Sequence, residues 1–162
     1  MSRFDNEIRI TTSVLDRLID YEPEAKQEAP ASRQKSLRDL KAAVKRDLEW
    51  LLNSRQVVGG IPDEMKETSH SLAAFGLPDF TGVSLKNPSE QAYVRRTIER
   101  AISLFEPRLE DVMVILIPGS SGEQVMRFRI DARLKVDPAP EPVTFDTLLQ
   151  LDNGQYVVRE ER

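Results

Sequence analysis

Cysteine is absent from this sequence of 162 residues, and histidine occurs once, as His70. Without thiols there can be no disulfide bond, which fits a reducing compartment. Zinc and iron sites depend largely on these two residue types, and the acidic residues never adopt the spacing of a calcium loop. A glycine-rich phosphate loop is also missing. We therefore expect neither a metal nor an organic cofactor.

The sequence also lacks an apolar run of the length that crosses a membrane, which takes roughly 18 residues or more. Residues 1–7 do not contain the apolar core of a signal peptide. We therefore expect a cytoplasmic protein that does not insert directly into the membrane.

Charge of one sign is not in large excess, because 23 lysines and arginines face 27 acidic residues, for a net charge of -4. Binding of nucleic acid would therefore need a local basic patch. Two sets of arginines are the best candidates: Arg95, Arg96 and Arg100 on a predicted helix, and Arg127, Arg129 and Arg133 on a predicted strand. Each set has an acidic neighbour and lacks the aromatic residues on which bases stack. We expect solvated faces and no nucleic-acid partner.

The N-terminal part of the sequence contains helix patterns. Thr12 or Ser13 can cap a short helix, and the polar stretch 22–35 predicts a mobile connector. A capping box at Ser36 then starts a long helix that reaches about Asn53. Its charged residues, which include Arg46 and Glu49, predict a solvated face.

Residues 54–86 contain mostly turn signals, with one short helical turn predicted at 69–75. Asn87 can then cap a third helix, with Pro88 at its first position. The apolar spacing of this helix ends at Phe105.

The C-terminal part contains strand patterns, separated by polar or proline-rich stretches: 112–117, 126–134, 143–151 and 155–159. The first is apolar without interruption, which is typical of a strand covered on both faces, and the second alternates apolar with polar residues. Loops are predicted at 118–122 and 152–154. Together the patterns predict a single α+β domain, with N-terminal helices and an antiparallel C-terminal sheet of about four strands. We place the N-terminal helix and connector at 1–35 and the α+β domain at 36–162.

The helix pattern changes to a strand pattern across Glu106, Pro107 and Arg108. Pro107 cannot continue the helix and pushes Glu106 out of the helical conformation, so a strand should begin near Arg108. If Glu106 and Arg108 are both extended, their opposite charges lie on the same side of the chain. An exposed pair would contribute about 0–1 kcal/mol, so losing Arg108 should barely change stability. We expect this corner either to bind a partner or only to close the junction.

Three features could indicate an enzyme, and each is weak. His70 lies between serines, without the sequence elbow that positions a nucleophile. Ser32 and Lys35 match a Ser-x-x-Lys motif but fall in the predicted connector, without its companion motifs. Glu106 could be one carboxylate of a glycosidase, but Arg108 favours its charged form over the protonated form that a general acid needs. We therefore prefer a non-catalytic role.

Four sequence motifs occur in order at 16–20, 46–53, 75–79 and 105–109: Asp-Arg-Leu-Ile-Asp, Arg-Asp-Leu-Glu-Trp-Leu-Leu-Asn, Phe-Gly-Leu-Pro-Asp and Phe-Glu-Pro-Arg-Leu. With the predicted sheet, they resemble the TssE family of type VI secretion baseplate subunits. That family is similar to the wedge protein of contractile phage tails once labelled a lysozyme. The resemblance implies a non-enzymatic subunit that starts assembly of the contractile sheath. The sequence departs from it at Phe75, where the family often has tyrosine.

The resemblance also implies partners and contact residues. The partners are the wedge proteins TssF and TssG and the sheath proteins TssB and TssC, and wedge contacts fall on Glu106, Pro107 and Arg108. Sheath subunits in these systems add extended arms to a neighbour's sheet, so we expect an arm to pair with one sheet edge. The C-terminal strand at 155–159 should lie on an edge with unpaired backbone groups, and we favour this edge, at Val157 and Val158, because its strand is short. The alternative function is a peptidoglycan hydrolase.

Overall fold

A computed structural model describes residues 13–18, 33–56, 61, 64–80, 83, 87–117, 125–150 and 155–160. Its helices are α1 (Val14–Leu18), α2 (Arg33–Asn53), α3 (Lys66–Ser69) and α4 (Pro88–Phe105), with a 3₁₀ turn at Leu72–Ala74. Its strands are β1 (Leu109–Ile117), β2 (Val125–Leu134), β3 (Glu141–Gln150) and β4 (Gln155–Glu160). The predicted single α+β domain, with helices followed by an antiparallel sheet, is confirmed.

The sheet is an antiparallel meander in the order β1-β2-β3-β4, so β1 and β4 form its edges. A bulge interrupts β1 between Glu110 and Met113, where Asp111 has a positive φ of 52°. The extra residue reverses the alternation of side chains along the strand. Leu109 before the bulge and Val114 after it therefore both face the core.

One face of the sheet packs against α2 and α4, and this layer forms the core. The predicted alternation of β2 is confirmed by Phe128, Ile130, Ala132 and Leu134, which are all buried. The helices bury the apolar faces that their spacing predicts: Leu40, Val44, Leu48, Leu51 and Leu52 from α2, and Val94, Ile98, Ala101 and Ile102 from α4. No helix among the described residues is long and apolar enough to cross a membrane.

The prediction that the first strand is covered on both faces is wrong. Met113, Ile115 and Ile117 are 57%, 42% and 37% exposed, while Val114 between them is buried. The helices cover only one face of the sheet, so alternate residues of this apolar run lie at the surface.

Two further strand predictions need correction. Pro142 lies inside β3, near its first residue, rather than in the segment before the strand. The apolar residues at 143, 145, 149 and 151 predict the buried face of this strand but leave out Thr147, which is also buried on β3.

The N-terminal helices differ in length from their predictions. Ser13 caps α1 as predicted, since its Oγ accepts a hydrogen bond of 3.1 Å from Asp16 N. Helix α2 begins at Arg33, so the last residues of the predicted connector are helical. Residues 19–32 lie outside the described part, as do the predicted loops at 118–122 and 152–154.

The connection between α2 and α4 contains more structure than its turn signals indicate. It forms α3 and the 3₁₀ turn instead of a single helical turn at 69–75. Helix α4 itself is confirmed: Asn87 Oδ1 accepts from Ser89 N at 3.0 Å, and Pro88 is the first helical residue.

Both edges of the sheet receive side chains from the helices. On the β1 edge, Val114 N donates to Glu99 Oε1 of α4 at 2.9 Å. On the β4 edge, Val158 N donates to Glu49 Oε1 of α2 at 3.1 Å, and Asn53 of α2 bonds both backbone groups of Tyr156, at 2.8 and 2.9 Å. The expectation of unpaired backbone groups at Gln155–Arg159 is therefore wrong for Tyr156 and for Val158 N. Glu49 is a structural residue, not part of a solvated face.

Replacing Tyr156 with phenylalanine tests how the core tolerates a buried hydroxyl. Its side-chain oxygen has no hydrogen-bond partner among the described residues, and burial raises the pKa of Tyr156 to about 12. The folded protein thus keeps the hydroxyl proton in the range where the unfolded chain releases it, above a pH of about 10. The free energy of unfolding therefore falls as the pH rises from about 10 towards about 12. We expect Tyr156→Phe to keep or raise the free energy of unfolding by up to about 1 kcal/mol at neutral pH.

The measurement is chemical denaturation at several pH values. Between about pH 10 and 12 the stability of Tyr156→Phe should fall less steeply than that of the wild type. Tyr93→Phe is the matched control, because Tyr93 is half exposed and the change removes a hydroxyl group without emptying a buried position. A large loss of stability in Tyr156→Phe at neutral pH would contradict the absence of a hydroxyl partner.

Candidate functional site

The junction between α4 and β1 is a tight turn at 106–109. Glu106 N closes the helix by donating to Ile102 O at 2.8 Å, and Leu109 N donates to Glu106 O at 3.1 Å. Arg108 therefore lies in the turn, and β1 begins one residue later than the predicted start near Arg108. The side chains of Glu106 and Arg108 nevertheless lie together, as expected.

Glu106 and Arg108 form an ion pair in which the carboxylate is buried. Arg108 Nε donates to Glu106 Oε1 at 2.6 Å, and Arg108 Nη2 donates to Glu106 Oε2. The Glu106 side chain is 4% exposed and that of Arg108 is 25% exposed. Its bonds to Glu106 raise the pKa of Arg108. The expectation that this is an exposed pair of little energetic weight is wrong, because Glu106 has almost no access to water.

The pair continues into a ladder of alternating charges that reaches α1. Arg108 Nη2 donates to Asp47 Oδ2 of α2 at 2.5 Å, and Asp47 Oδ1 accepts from the Nε of Arg46 at 3.0 Å. Arg46 Nη2 lies 2.9 Å from Asp16 Oδ1 of α1. This charge ladder, made of Glu106, Arg108, Asp47, Arg46 and Asp16, joins three segments that are distant in sequence. Arg46 was expected on a solvated face, and that expectation is wrong.

Asp16 and Arg46, at the α1 end of the ladder, have shifted pKa values for reasons visible in their contacts. Burial raises the pKa of Asp16, but bonds from Ser13 and Arg46 outweigh it, so the net pKa of Asp16 is lowered. Burial lowers the pKa of Arg46, but its bonds to Asp47 and Asp16 outweigh this effect, so the net pKa of Arg46 is raised. Both shifts favour the charged pair, so this link between α1 and α2 holds at neutral pH and is lost when acid protonates Asp16.

An apolar cavity of about 390 Å³ lies beside the ladder. Aromatic and aliphatic side chains from α2, α4, the loop between them and the 106–109 turn line it: Trp50, Leu51, Phe75, Phe105 and Pro107. Asp47, Glu106, Arg108 and Ser13 complete the lining. The rings of Phe75 and Phe105 meet edge to face at 5.3 Å between centroids.

The Phe-Gly-Leu-Pro-Asp motif is held against the end of α2, which places Phe75 in the cavity wall. Leu77 N donates to Ser54 O at 2.9 Å, and Gln56 N donates to Leu77 O at 3.0 Å. Gly76 has a φ of 104°, and a Cβ there would lie 2.4 Å from the oxygen of Ser54. Glycine is needed here for both its conformation and its lack of a side chain.

The predicted contact residues fall on two separate parts of the molecule. Pro107 is exposed beside the cavity, and Glu106 supports Arg108 from within. Val158 is buried on β4, and Val157 is half-buried on the opposite side of that strand. The corner and the β4 edge are linked through α2, which carries Asp47 as well as Glu49.

Sequence reasoning missed three members of the site: Asp16, Asp47 and Trp50. Asp47 and Trp50 lie within the 46–53 motif and Asp16 begins the 16–20 motif, but helical spacing alone could not show that they meet the 105–109 turn. Nothing in the local sequence around Asp47 indicates that it binds Arg108, which lies 61 residues further along the chain.

The arrangement is poorly suited to acid–base chemistry. The two carboxylates that line the cavity, Asp47 and Glu106, bind the same guanidinium, so their oxygens are already engaged by Arg108. Among the described residues, no three His, Asp or Glu side chains converge as metal ligands. The geometry instead presents a rigid corner, with aromatic groups on one side and paired charges on the other.

Comparison with known families gives a match over residues 38–139, to the family described as baseplate wedge protein gp25. The match begins within α2 and covers the rest of that helix together with α4, the corner, β1 and β2. The chain therefore belongs to this phage baseplate family of structural proteins. No curated protein matches the sequence.

Replacing Arg108 with alanine tests whether the ladder stabilises the fold. The change leaves Glu106 buried without its partner, so we expect the free energy of unfolding to fall by about 3 kcal/mol. This is the low end of the usual range for a broken buried pair, because Arg108 keeps some contact with water. Arg95→Ala, at an exposed position of α4, should change stability by no more than about 0.5 kcal/mol.

A second variant separates the charge effect from lost packing. Adding Glu106→Gln to Arg108→Ala removes the buried charge and should restore part of the stability. If Arg108→Ala has the same melting temperature as the wild type in calorimetry, the ladder has no structural role.

Proposed function

We propose that this member of the baseplate wedge family is a non-enzymatic structural subunit of a type VI secretion baseplate. In this proposal it docks on the wedge proteins TssF and TssG in the cytoplasm and initiates assembly of the TssB and TssC sheath. The observation that supports it most is the family match over residues 38–139. The four motifs at 16–20, 46–53, 75–79 and 105–109, which resemble those of the TssE family, support the assignment to a secretion system.

The Glu106-Pro107-Arg108 corner is the proposed wedge contact. Pro107 is exposed, and Arg108 is a quarter exposed at the mouth of the cavity. These two residues can touch a partner directly. Glu106 is buried and acts by holding Arg108 in place. Rigid, partly desolvated charges next to aromatic side chains are typical of the residues that dominate binding energy at interfaces.

The alternative function, a peptidoglycan hydrolase, has less support. A glycosidase needs a protonated carboxyl group and a second carboxylate across a cleft. Here Glu106 accepts three bonds from Arg108, and Asp47 accepts from Arg108 and Arg46. Neither carboxylate is positioned to give up a proton to a substrate.

Affinity capture from a type VI secretion strain tests this function. The tagged wild-type chain should recover the wedge proteins TssF and TssG, and Pro107→Ser combined with Arg108→Lys should recover at least about tenfold less, since a lysine cannot keep the forked contacts of Arg108. A variant at the exposed Arg95 is the control for a general effect of charge.

A peptidoglycan zymogram separates the two functions. The proposal expects no clearing by the wild type. A clearing band that disappears in Glu106→Gln, together with failure to capture wedge proteins, would replace it with the hydrolase.

The proposed sheath contact is a strand added to a sheet edge, with the β4 edge at Val157 and Val158 preferred. Strand addition needs outward-facing backbone groups. On β4 the N–H of Val158 faces away from β3, where Glu49 now accepts it, and by alternation that of Val157 faces β3. An incoming sheath arm must therefore displace Glu49 and Asn53, whereas on β1 it must displace Glu99.

Proline at Val158 tests this edge, because it removes the outward N–H without touching the ladder to β3. Val158→Ala is the matched control, since it loses the same buried side chain but keeps the N–H. We expect Val158→Pro to nucleate sheaths more slowly than Val158→Ala in a reconstituted assembly assay. Equal rates would exclude the β4 edge, and the same pair of changes at Val114 would then test β1.

A further inference from the structure

The cavity beside the charge ladder combines two surfaces that suit different parts of one side chain. Trp50, Phe75 and Phe105 offer aromatic rings, and Asp47 offers a carboxylate within the same lining. The guanidinium carbon of Arg46 lies over the Trp50 ring, 5.6 Å from its centroid, and Trp50 is still 58% exposed, so part of the ring remains accessible from solvent. Long cationic side chains have an apolar stem and a charged end. The stem can pack against aromatic rings while the charged end binds a carboxylate.

The charge of the ladder favours a cation. It contains three carboxylates, Asp16, Asp47 and Glu106, against the two guanidinium groups of Arg46 and Arg108, which leaves one negative charge. Lys135 keeps its positive charge while its Nζ donates to the carbonyl oxygen of Pro107 at 2.8 Å, but it is not part of the cavity lining. The charged residues of the lining are Asp47, Glu106 and Arg108, which also sum to one negative charge. An incoming carboxylate would meet Arg108 only between Asp47 and Glu106, which repel it.

Asp47 has the capacity to accept another donor. A carboxylate offers about four acceptor positions, and Asp47 uses three, for two bonds from Arg46 and one from Arg108. Its side chain is 29% exposed, whereas that of Glu106 is 4% exposed. The remaining position on Asp47 is therefore the reachable one.

We infer that this cavity binds an arginine or lysine side chain of a protein partner, with the stem on Trp50 and Phe75 and the charged end on Asp47. The inference rests on the proposed function only in taking that partner to be a baseplate protein. The residues that carry it are Trp50, Phe75 and Asp47, and the Glu106–Arg108 pair fixes Asp47 in position.

The single tryptophan of the chain reports directly on the cavity. Titration of the full chain with N-acetyl-arginine amide should give a saturable change in Trp50 fluorescence. N-acetyl-citrulline amide has nearly the same shape without the charge, and it should bind at least about tenfold more weakly, a difference of about 1.4 kcal/mol. N-acetyl-glutamate amide should not bind.

Two variants assign the contact. Asp47→Asn keeps the size of the side chain and should weaken binding of the arginine compound by about tenfold, with its fold checked by circular dichroism. Asp39→Asn makes the same change of charge at an exposed position of α2 and should leave binding unchanged.

Several outcomes would overturn the inference: equal binding of the arginine and citrulline compounds, preferred binding of glutamate, the absence of any saturable change, or equal effects of the two variants. These titrations use the chain alone, so a negative result leaves the capture of wedge proteins to be judged separately. Conversely, specific arginine binding without wedge capture would retain the cavity and reject the proposed docking on TssF and TssG.

Discussion

The fold depends on one guanidinium group that is shared by two carboxylates. Arg108 binds Glu106 across a tight turn and Asp47 across a long separation in sequence, and its backbone carbonyl accepts from Lys135 N at 2.8 Å after the end of β2. These contacts fix where α4 ends, where β1 begins and how both meet α2. Since Glu106 is buried, separating the pair carries a large desolvation cost, and the corner is therefore rigid.

Helix α2 connects this corner to the far edge of the sheet. Its polar residues serve both ends: Arg46 and Asp47 extend the charge ladder, while Glu49 and Asn53 bond the backbone of β4. Glu99 of α4 does the same for β1. These carboxylates on both edges protect the sheet from non-specific strand pairing. A partner strand could replace them, because a carboxylate satisfies single backbone N–H groups, whereas a strand forms a full ladder of backbone hydrogen bonds.

The sequence predicted the elements well where local rules govern them. Asn87 and Pro88 fixed the start of α4, Pro107 fixed its end, and alternation identified the buried face of β2. Prediction failed where distant contacts decide. The run from Val112 to Ile117 suggested two covered faces, but whether helices cover one or both depends on their number and placement, which no local pattern states. Likewise, Arg46 and Glu49 have the spacing of a solvated face, and only the positions of α1 and β4 give them partners that are distant in sequence.

The same limit applies to the site. The closeness of Glu106 and Arg108 followed from a proline-terminated helix, but the burial of Glu106 and the third partner, Asp47, required the tertiary structure. The measurement that tests this arrangement most directly is a double-mutant cycle on the free energy of unfolding, with Asp47→Ala, Arg108→Ala and the double variant. The shared guanidinium predicts a coupling energy of about 1 to 2 kcal/mol between these residues, whereas additive losses would contradict it and reduce the corner to a local turn.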